Sequence, residues 1–176
     1  MFVFDKMTPE LQAYLNHKIK DFPDDYEGFT TKKNQLKALV SKELIDEYYQ
    51  AEKIWICRDD NVDPKTRIEK SPSGKYELHI SNHETGTGTW GYSKGKIFEG
   101  TKLIAEICRN YGAFLFLFIE NHPKGDFIVA GEDYQGQTVV DLKSGQRIDF
   151  LPSEAEEGNG FCWGGYKYDE ASQILV

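Results

Sequence analysis

The chain has 176 residues, of which 39% are apolar, and this is enough for one compact domain with a sizeable core. Its 29 acidic and 21 basic side chains give a net charge of −8, which would repel a phosphate backbone, so nucleic acid is excluded as an expected partner. The same charge would attract a basic protein partner.

The apolar runs of the chain are too short for a targeting or membrane-spanning segment. Residues 1–4 are apolar but are followed by Asp5, and the longest run, 113–119, has seven residues. A transmembrane helix needs about 20 apolar residues, so no membrane association is expected. The three cysteines, Cys57, Cys108 and Cys162, are odd in number and widely spaced, which fits a reducing cytoplasm and a cytoplasmic protein.

Residues 1–50 are predicted to form a helical segment that packs on a sheet. Thr8, Pro9 and Glu10 provide an N-cap hydroxyl, a proline at the first helical position and an acid near the positive end of the helix dipole. A second helix is predicted from about Lys32 to Tyr49, where apolar residues recur at helical spacing. The leucines expected to face the sheet are Leu11, Leu15, Leu36, Leu39 and Leu44.

After Gln50 the apolar period changes from about 3.6 residues to two, which indicates strands. Turn residues (Gly, Pro and Ser) separate seven short strand candidates: 76–80, 97–98, 103–107, 114–119, 127–130, 138–142 and 148–151. The chain is therefore predicted to be mainly β, with an antiparallel sheet domain over residues 51–176 and two N-terminal helices.

The strand region contains an internal repeat. The stretch Ser-Pro-Ser-Gly-Lys-Tyr ending at Tyr76 is similar to His-Pro-Lys-Gly-Asp-Phe ending at Phe127, and Gly74 and Gly125 are 51 residues apart (125 − 74). This spacing predicts repeat units near 71–121 and 122–168 and a partial unit at 169–176.

Each predicted unit, a hairpin followed by strand, turn, strand and loop, resembles a β-propeller blade. The segment Val-Val-Asp-Leu-Lys-Ser-Gly at 139–145 resembles the end of WD40-like blades, and 131–142 with 160–163 resembles an uncharacterised group of bacterial proteins. The resemblance implies propeller-blade-like repeated strand units but no known activity. Two units and a fragment cannot close a ring of about four to eight blades, so an open, twisted sheet is expected.

Two motifs with possible cofactor or metal chemistry are better explained structurally. Residues 86–91 match G-x-G-x-x-G, but no helical pattern follows to hold a dinucleotide phosphate. His79 and His83 would point to one face of a strand but lie about 13 Å apart along it, too far to share a metal ion. No catalytic residue, metal or other cofactor is predicted.

The leading candidate site is the segment from Glu132 to Gln135. Two acids beside a tyrosine can bind a sugar, a cation or a basic side chain, or carry acid–base chemistry. The simpler alternative is a polar connection between two strands. Corresponding connections of repeated units emerge on one face. The candidate binding set is therefore Glu132, Asp133, Tyr134, Gln135, Arg109, Tyr111 and Trp163.

These features predict a non-enzymatic binding module for a protein partner, which would be basic if charge steers the encounter. Immunity proteins, which cover a basic site with an acidic face, provide the functional analogy. The alternative is an enzyme that acts on a small polar or sugar-like substrate through Glu132 and Asp133. A deep cleft with converging acids would favour the enzyme, and a flat apolar patch rimmed by acids would favour the binding module.

Overall fold

The computed structural model describes residues 2–18, 24–60, 62, 66–83, 91–109, 113–132, 136–150, 167–169, 171–172 and 174–175. The chain divides into two compact units, a helical unit at Met1–Trp55 and a sheet unit at Ile56–Val176. The predicted mainly β, antiparallel fold is confirmed: the described residues form two four-stranded antiparallel sheets, a two-stranded pair and three helices.

The helices are α1 (Pro9–Lys18), α2 (Tyr26–Lys37) and α3 (Lys42–Ile56). The predicted start of α1 is confirmed, since the Leu11 backbone N–H donates to Thr8 Oγ1 over 3.1 Å. The side chain of Asp25 caps α2 by accepting from the Gly28 N–H at 2.9 Å. None of the helices in the described residues is long and apolar enough to cross a membrane.

The helix predicted over 32–49 is wrong, because this stretch is divided between α2 and α3. The backbone tightens after Lys37, where the N–H of Leu39 donates to Leu36 and that of Val40 donates to Lys37. Ser41 then accepts from the Leu44 N–H at 3.2 Å and begins α3 as a new N-cap. The apolar residues continue across the break at helical spacing, so periodicity alone conceals it.

The helical unit has a hydrophobic core of its own. The buried residues of this core are Leu11, Tyr14, Val40 and Ile45, and Leu15, Leu36 and Leu44 pack against them. Four of the five leucines that were expected to face the sheet are in or against this core of the helical unit. Leu39 is not, since 66% of it is exposed at the turn between α2 and α3. Packing of the helical segment on the sheet stays a prediction.

The first sheet is a meander in which each strand pairs with its neighbour in sequence. Its order is β1-β2-β3-β4, and all pairs are antiparallel. The strands are β1 (Arg67–Lys70), β2 (Tyr76–His83), β3 (Tyr92–Glu99) and β4 (Lys102–Arg109).

The second sheet repeats this arrangement with the order β5-β6-β7-β8. The strands are β5 (Phe116–His122), β6 (Gly125–Glu132), β7 (Gly136–Asp141) and β8 (Arg147–Phe150). A further antiparallel pair joins β9 (Tyr168–Asp169) to β10 (Ile174–Leu175). Both four-stranded sheets are open, and a closed propeller is not seen among the described strands.

One hydrophobic core is shared by the two sheets. Alternate residues of β2 and β3, such as Leu78 and Ile97, meet residues of the second sheet, such as Ile128 and Val140. The segment just before β5 approaches β3 closely at Gly95, where an added Cβ would overlap the ring of the buried Phe114. Glycine at this position leaves the space that the aromatic ring occupies.

Each sheet begins one strand before the predicted repeat boundary. The Pro-x-Gly turns at 71–75 and 123–124 join the first and second strands of their sheets, so the strand before each turn belongs to the same sheet. β1 has no clear apolar alternation, since it reads Arg-Ile-Glu-Lys, and β3 is largely polar over its first half. These two segments form strands because neighbouring strands pair with them, and the local sequence pattern does not show this pairing.

Candidate functional site

Strand direction decides which connections of a sheet lie together. β2 and β4 are both antiparallel to β3, so both finish at the same end of the first sheet. β6 and β8 are both antiparallel to β7 and likewise finish at one end of the second sheet. In each sheet we call the end where these strands finish the loop end. The connections that follow these four strands are 84–91, 110–115, 133–135 and 151–167. The connections at the opposite end, the turn end, are 71–75, 100–101, 123–124 and 142–146.

The loop ends of the two sheets adjoin each other. Arg109, the last residue of β4, donates from Nη1 to the Ala113 carbonyl at 2.6 Å, which holds the chain just before β5. The Gly131 N–H near the end of β6 donates to the Leu115 carbonyl at 3.1 Å. Residues 113–115 are therefore bound both to the end of β4 and to the end of β6, one strand from each sheet.

The turn ends of the sheets are joined by carboxylates of the second sheet. Glu120 accepts from Ser71 Oγ at 3.0 Å and from the Ser73 backbone N–H at 2.7 Å. Asp126 accepts from the hydroxyl of the buried Tyr76 at 3.0 Å. Like ends of the two sheets therefore lie on the same side of the shared core.

These two carboxylates have lowered pKa values. Partial burial alone would raise the pKa of Glu120, but the hydrogen bonds from Ser73 and Ser71 outweigh it and lower the pKa overall. Burial is likewise outweighed at Asp126, whose pKa is lowered by the Asn121 backbone N–H and by the Tyr76 hydroxyl. A carboxyl with a lowered pKa in the folded state stabilises the fold above its unfolded pKa, and this contribution is lost as the pH falls through the folded value.

Replacing Glu120 with glutamine should lower the free energy of unfolding of the sheet unit by about 1–3 kcal/mol at pH 7, because charged hydrogen bonds between the sheets are lost. As the pH falls below about 4, the free energy of unfolding should also decrease less in the variant than in the parent, because one carboxyl with a lowered pKa is gone. Denaturant unfolding at pH 7 and pH 3 measures both effects.

The matched control is Glu69→Gln on β1, where the carboxylate lies in an exposed ion pair with Arg67 at 3.6 Å. We expect a change within about 0.5 kcal/mol there. Equal effects of the two substitutions at pH 7 would contradict the bridging role of Glu120.

Of the seven predicted binding residues, two lie in described strands. Arg109 ends β4 and is only 5% exposed, and its guanidinium holds the Ala113 carbonyl. Glu132 is the last residue of β6. Asp133, Tyr134, Gln135, Tyr111 and Trp163 lie outside the described residues. The described strands that precede these five positions in the chain, β4, β6 and β8, all end at the loop end.

In sequence, the connections that follow β2, β4, β6 and β8 differ in charge from those that follow β1, β3, β5 and β7. The four loop-end connections contain one basic residue, Lys167, and five acids: Glu84, Asp133, Glu154, Glu156 and Glu157. The four turn-end connections contain no acid and three lysines: Lys75, Lys124 and Lys143. Within the four loop-end connections the structure describes Gly91, residues 113–115 and Lys167, and the five acids lie outside the described residues.

A second polar cluster that sequence reasoning missed lies on the first sheet. The ammonium of the buried Lys94 is 2.9 Å from Asp59 Oδ1 and 3.3 Å from Glu106 Oε2. Lys96 binds the other oxygen of Asp59 at 2.8 Å, and hydrogen bonds from Lys96 and Lys94 lower the pKa of Asp59 to about 2. The signal in the sequence is the period of two, which puts Lys94 and Lys96 on one face of β3.

The two histidines weighed as metal ligands have protein partners. His79 Nε2 lies 3.1 Å from Glu77 Oε2, and His83 Nε2 lies 2.9 Å from Ser81 Oγ. In the part of the chain that the structure describes, no three histidine, cysteine or acidic side chains are grouped so that they could hold a metal ion.

The chain is 31% identical over 120 residues to an uncharacterised protein of Acanthamoeba polyphaga mimivirus. The matched region is 66% of this chain and 46% of the viral protein, so the chain spans about half the length of this relative. No protein-family model matches the chain, and no solved structure matches it.

The predicted resemblance to a bacterial group with WD40-like blades is wrong. The similar protein is viral, and the comparisons point neither to a bacterial group nor to a WD40 propeller. The Pro-x-Gly residues that suggested it form turns between paired strands, and the segment 139–145 is the end of β7 followed by its turn to β8. Such turn sequences recur wherever antiparallel strands are joined by short connections, so they indicate hairpins rather than common ancestry.

Proposed function

We propose that the chain is a non-enzymatic, cytoplasmic binding module that binds a basic protein partner at its loop end. The observation that carries this proposal is the common direction of β2, β4, β6 and β8, whose connections hold five acids and one lysine. A surface with one sign of charge attracts an oppositely charged partner and raises the rate of encounter.

Aromatic residues in the same connections suit a protein partner better than a simple cation. The connections that follow the four strands contain Trp90, Tyr111, Tyr134 and Trp163. Tryptophan and tyrosine supply most of the binding energy in many protein interfaces, where they combine apolar area with one polar group. Acids around such anchors would set the orientation and the choice of partner.

The repeated architecture supports a composite binding face. We infer that the two four-stranded sheets are copies of one strand unit, since both are meanders and their first hairpins contain glycines 51 residues apart. Gly74 and Gly125 both have positive φ, at 74° and 127°, which glycine adopts without strain. Repeats with equal strand directions bring corresponding connections to one face.

The enzyme alternative would place acid–base chemistry on Glu132 and Asp133. Two carboxyl groups that share such work must flank the substrate at a defined separation. The carboxylates with lowered pKa values that bridge the two sheets, Glu120 and Asp126, lie at the turn end. The described residues contain no observation that favours this alternative.

Replacing Asp133 and Tyr134 together with alanine should weaken partner binding by about tenfold or more, because an anchor and a charge are removed. The partner is first captured from the native cell and identified by mass spectrometry, and we expect a basic protein. Calorimetric titration of the purified pair then measures Kd, and rising salt should weaken binding to the parent chain.

The matched control replaces Lys124 and Lys143 at the turn end with alanine, and this variant should bind as tightly as the parent. Unchanged far-ultraviolet circular dichroism shows that both variants are folded. An acidic partner, or equal Kd values for the parent and the Asp133/Tyr134 variant, would overturn the proposal.

A further inference from the structure

Two cysteines that are far apart in sequence meet beside the first sheet. Cys57 follows α3 and is fully buried, and its thiol lies 3.7 Å from the Ser93 carbonyl. The same sulfur accepts a hydrogen bond from the Arg109 backbone N–H. Because Ser93 and Arg109 are partners in the pairing of β3 with β4, the Cys57 thiol lies against the junction of these two strands.

Cys108 brings a second thiol to this position. It precedes Arg109 on β4, is partly exposed, and makes a side-chain hydrogen bond with Cys57. Its partner across the strands is Lys94, whose ammonium donates to the Cys57 carbonyl at 3.1 Å. These contacts hold the segment that carries Cys57 against β3 and β4.

We propose that Cys57 and Cys108 form a reversible intramolecular disulfide when the protein meets a hydroperoxide. In a reducing compartment, cysteines that form a disulfide reversibly are typically redox sensors and not structural links. Two features distinguish Cys57 and Cys108 from an inert buried cysteine. Each has a second thiol within hydrogen-bonding reach, and Cys108 is partly exposed.

The chemistry proceeds in two balanced steps. The thiolate of Cys108, the more exposed residue, attacks a peroxide oxygen; the S–O bond forms, the O–O bond breaks, and hydroxide leaves when the oxidant is hydrogen peroxide. The Cys57 sulfur then attacks the sulfenic sulfur; the S–S bond forms, the S–O bond breaks, and water leaves with the Cys57 proton. The two sulfurs lose two electrons in total, and the peroxide gains them.

The surroundings of Cys57 suit it to the second step. The hydrogen bond with Cys108 and burial both raise the pKa of Cys57, and the Arg109 backbone N–H and the nearby Lys94 ammonium oppose them only in part. Cys57 therefore stays protonated and unreactive towards the oxidant at neutral pH. It suits the second step, in which it resolves the sulfenic acid formed on its neighbour.

The test uses the full chain with Cys162→Ser, so that two cysteines remain. After treatment with hydrogen peroxide, we expect the intact mass to fall by two hydrogen atoms and a digest to contain a peptide that joins Cys57 to Cys108. Dithiothreitol should restore the original mass. The oxidised chain should melt at a Tm about 10 °C higher, because the link closes a long loop in the unfolded state.

Two further variants keep the proposal falsifiable. With Cys57→Ser, Cys108 should accumulate as a sulfenic acid that dimedone captures; with Cys108→Ser, Cys57 should remain a thiol under the same treatment. Three outcomes would overturn the proposal: oxidation of Cys108 to a sulfinic acid while Cys57 stays reduced, links formed only between molecules, and no reaction at either thiol.

Discussion

Replacing Leu78 with alanine is expected to lower the free energy of unfolding of the sheet unit by about 2–5 kcal/mol. Leu78 is fully buried on β2, in the core that both four-stranded sheets share. Truncation removes apolar contacts with both sheets and leaves a cavity that strands held in register cannot easily close. Denaturant unfolding followed by far-ultraviolet circular dichroism and by tryptophan fluorescence measures the loss.

Leu103→Ala provides the matched control in the same sheet. Leu103 lies near the start of β4 and is 44% exposed, so we expect its truncation to cost less than about 1 kcal/mol. If the two substitutions had equal effects, Leu78 would not lie in a core shared by the sheets.

Replacing Leu11 with alanine should destabilise the helical unit by about 2–5 kcal/mol. Leu11 is fully buried in the first turn of α1, in a core with Tyr14 and Ile45. Short helices have little stability of their own in water, so the unit depends on this core. Because the loss belongs to the helical unit, we expect helical circular dichroism to be lost at lower denaturant concentration.

Leu39→Ala provides the matched control in the same unit, because it removes the same side chain from an exposed position. The side chain of Leu39 is 66% exposed between α2 and α3, and we expect a change within about 0.5 kcal/mol. A loss of several kcal/mol at Leu39 would show that this leucine is covered by another part of the protein, and the sequence-based expectation that it packs on the sheet would then be supported.

Leu39 also illustrates a limit of periodic patterns. It shares the helical spacing of Leu36 and Val40, which predicts one apolar face. The chain instead ends α2 at Lys37 and starts α3 with the Ser41 cap, and the turn between them directs Leu39 outward. Serine followed by lysine and glutamate at 41–43 is the local signal of a new helix start, although the apolar stripe continues across it.

The sequence by itself determined the features of this protein that depend on neighbours in the chain. The change of apolar period after residue 50, the glycine turns and the 51-residue spacing identified an antiparallel, mainly β fold. These signals are local, because alternation and turn chemistry act within a few residues. The net charge and the acids of the long connections likewise need no fold to be recognised.

Only the tertiary structure decided which of these residues meet. Strand pairing brings the ends of β2, β4, β6 and β8 to one side of the shared core and the lysine-bearing turns to the other, and it gives Arg109 a buried role in holding the chain before β5. It also brings Cys57 beside Cys108 and Lys94 beside Asp59. A period of two tells which face of a strand a residue occupies but not which strand or segment covers that face, so contacts between distant segments follow from the packing of the whole unit.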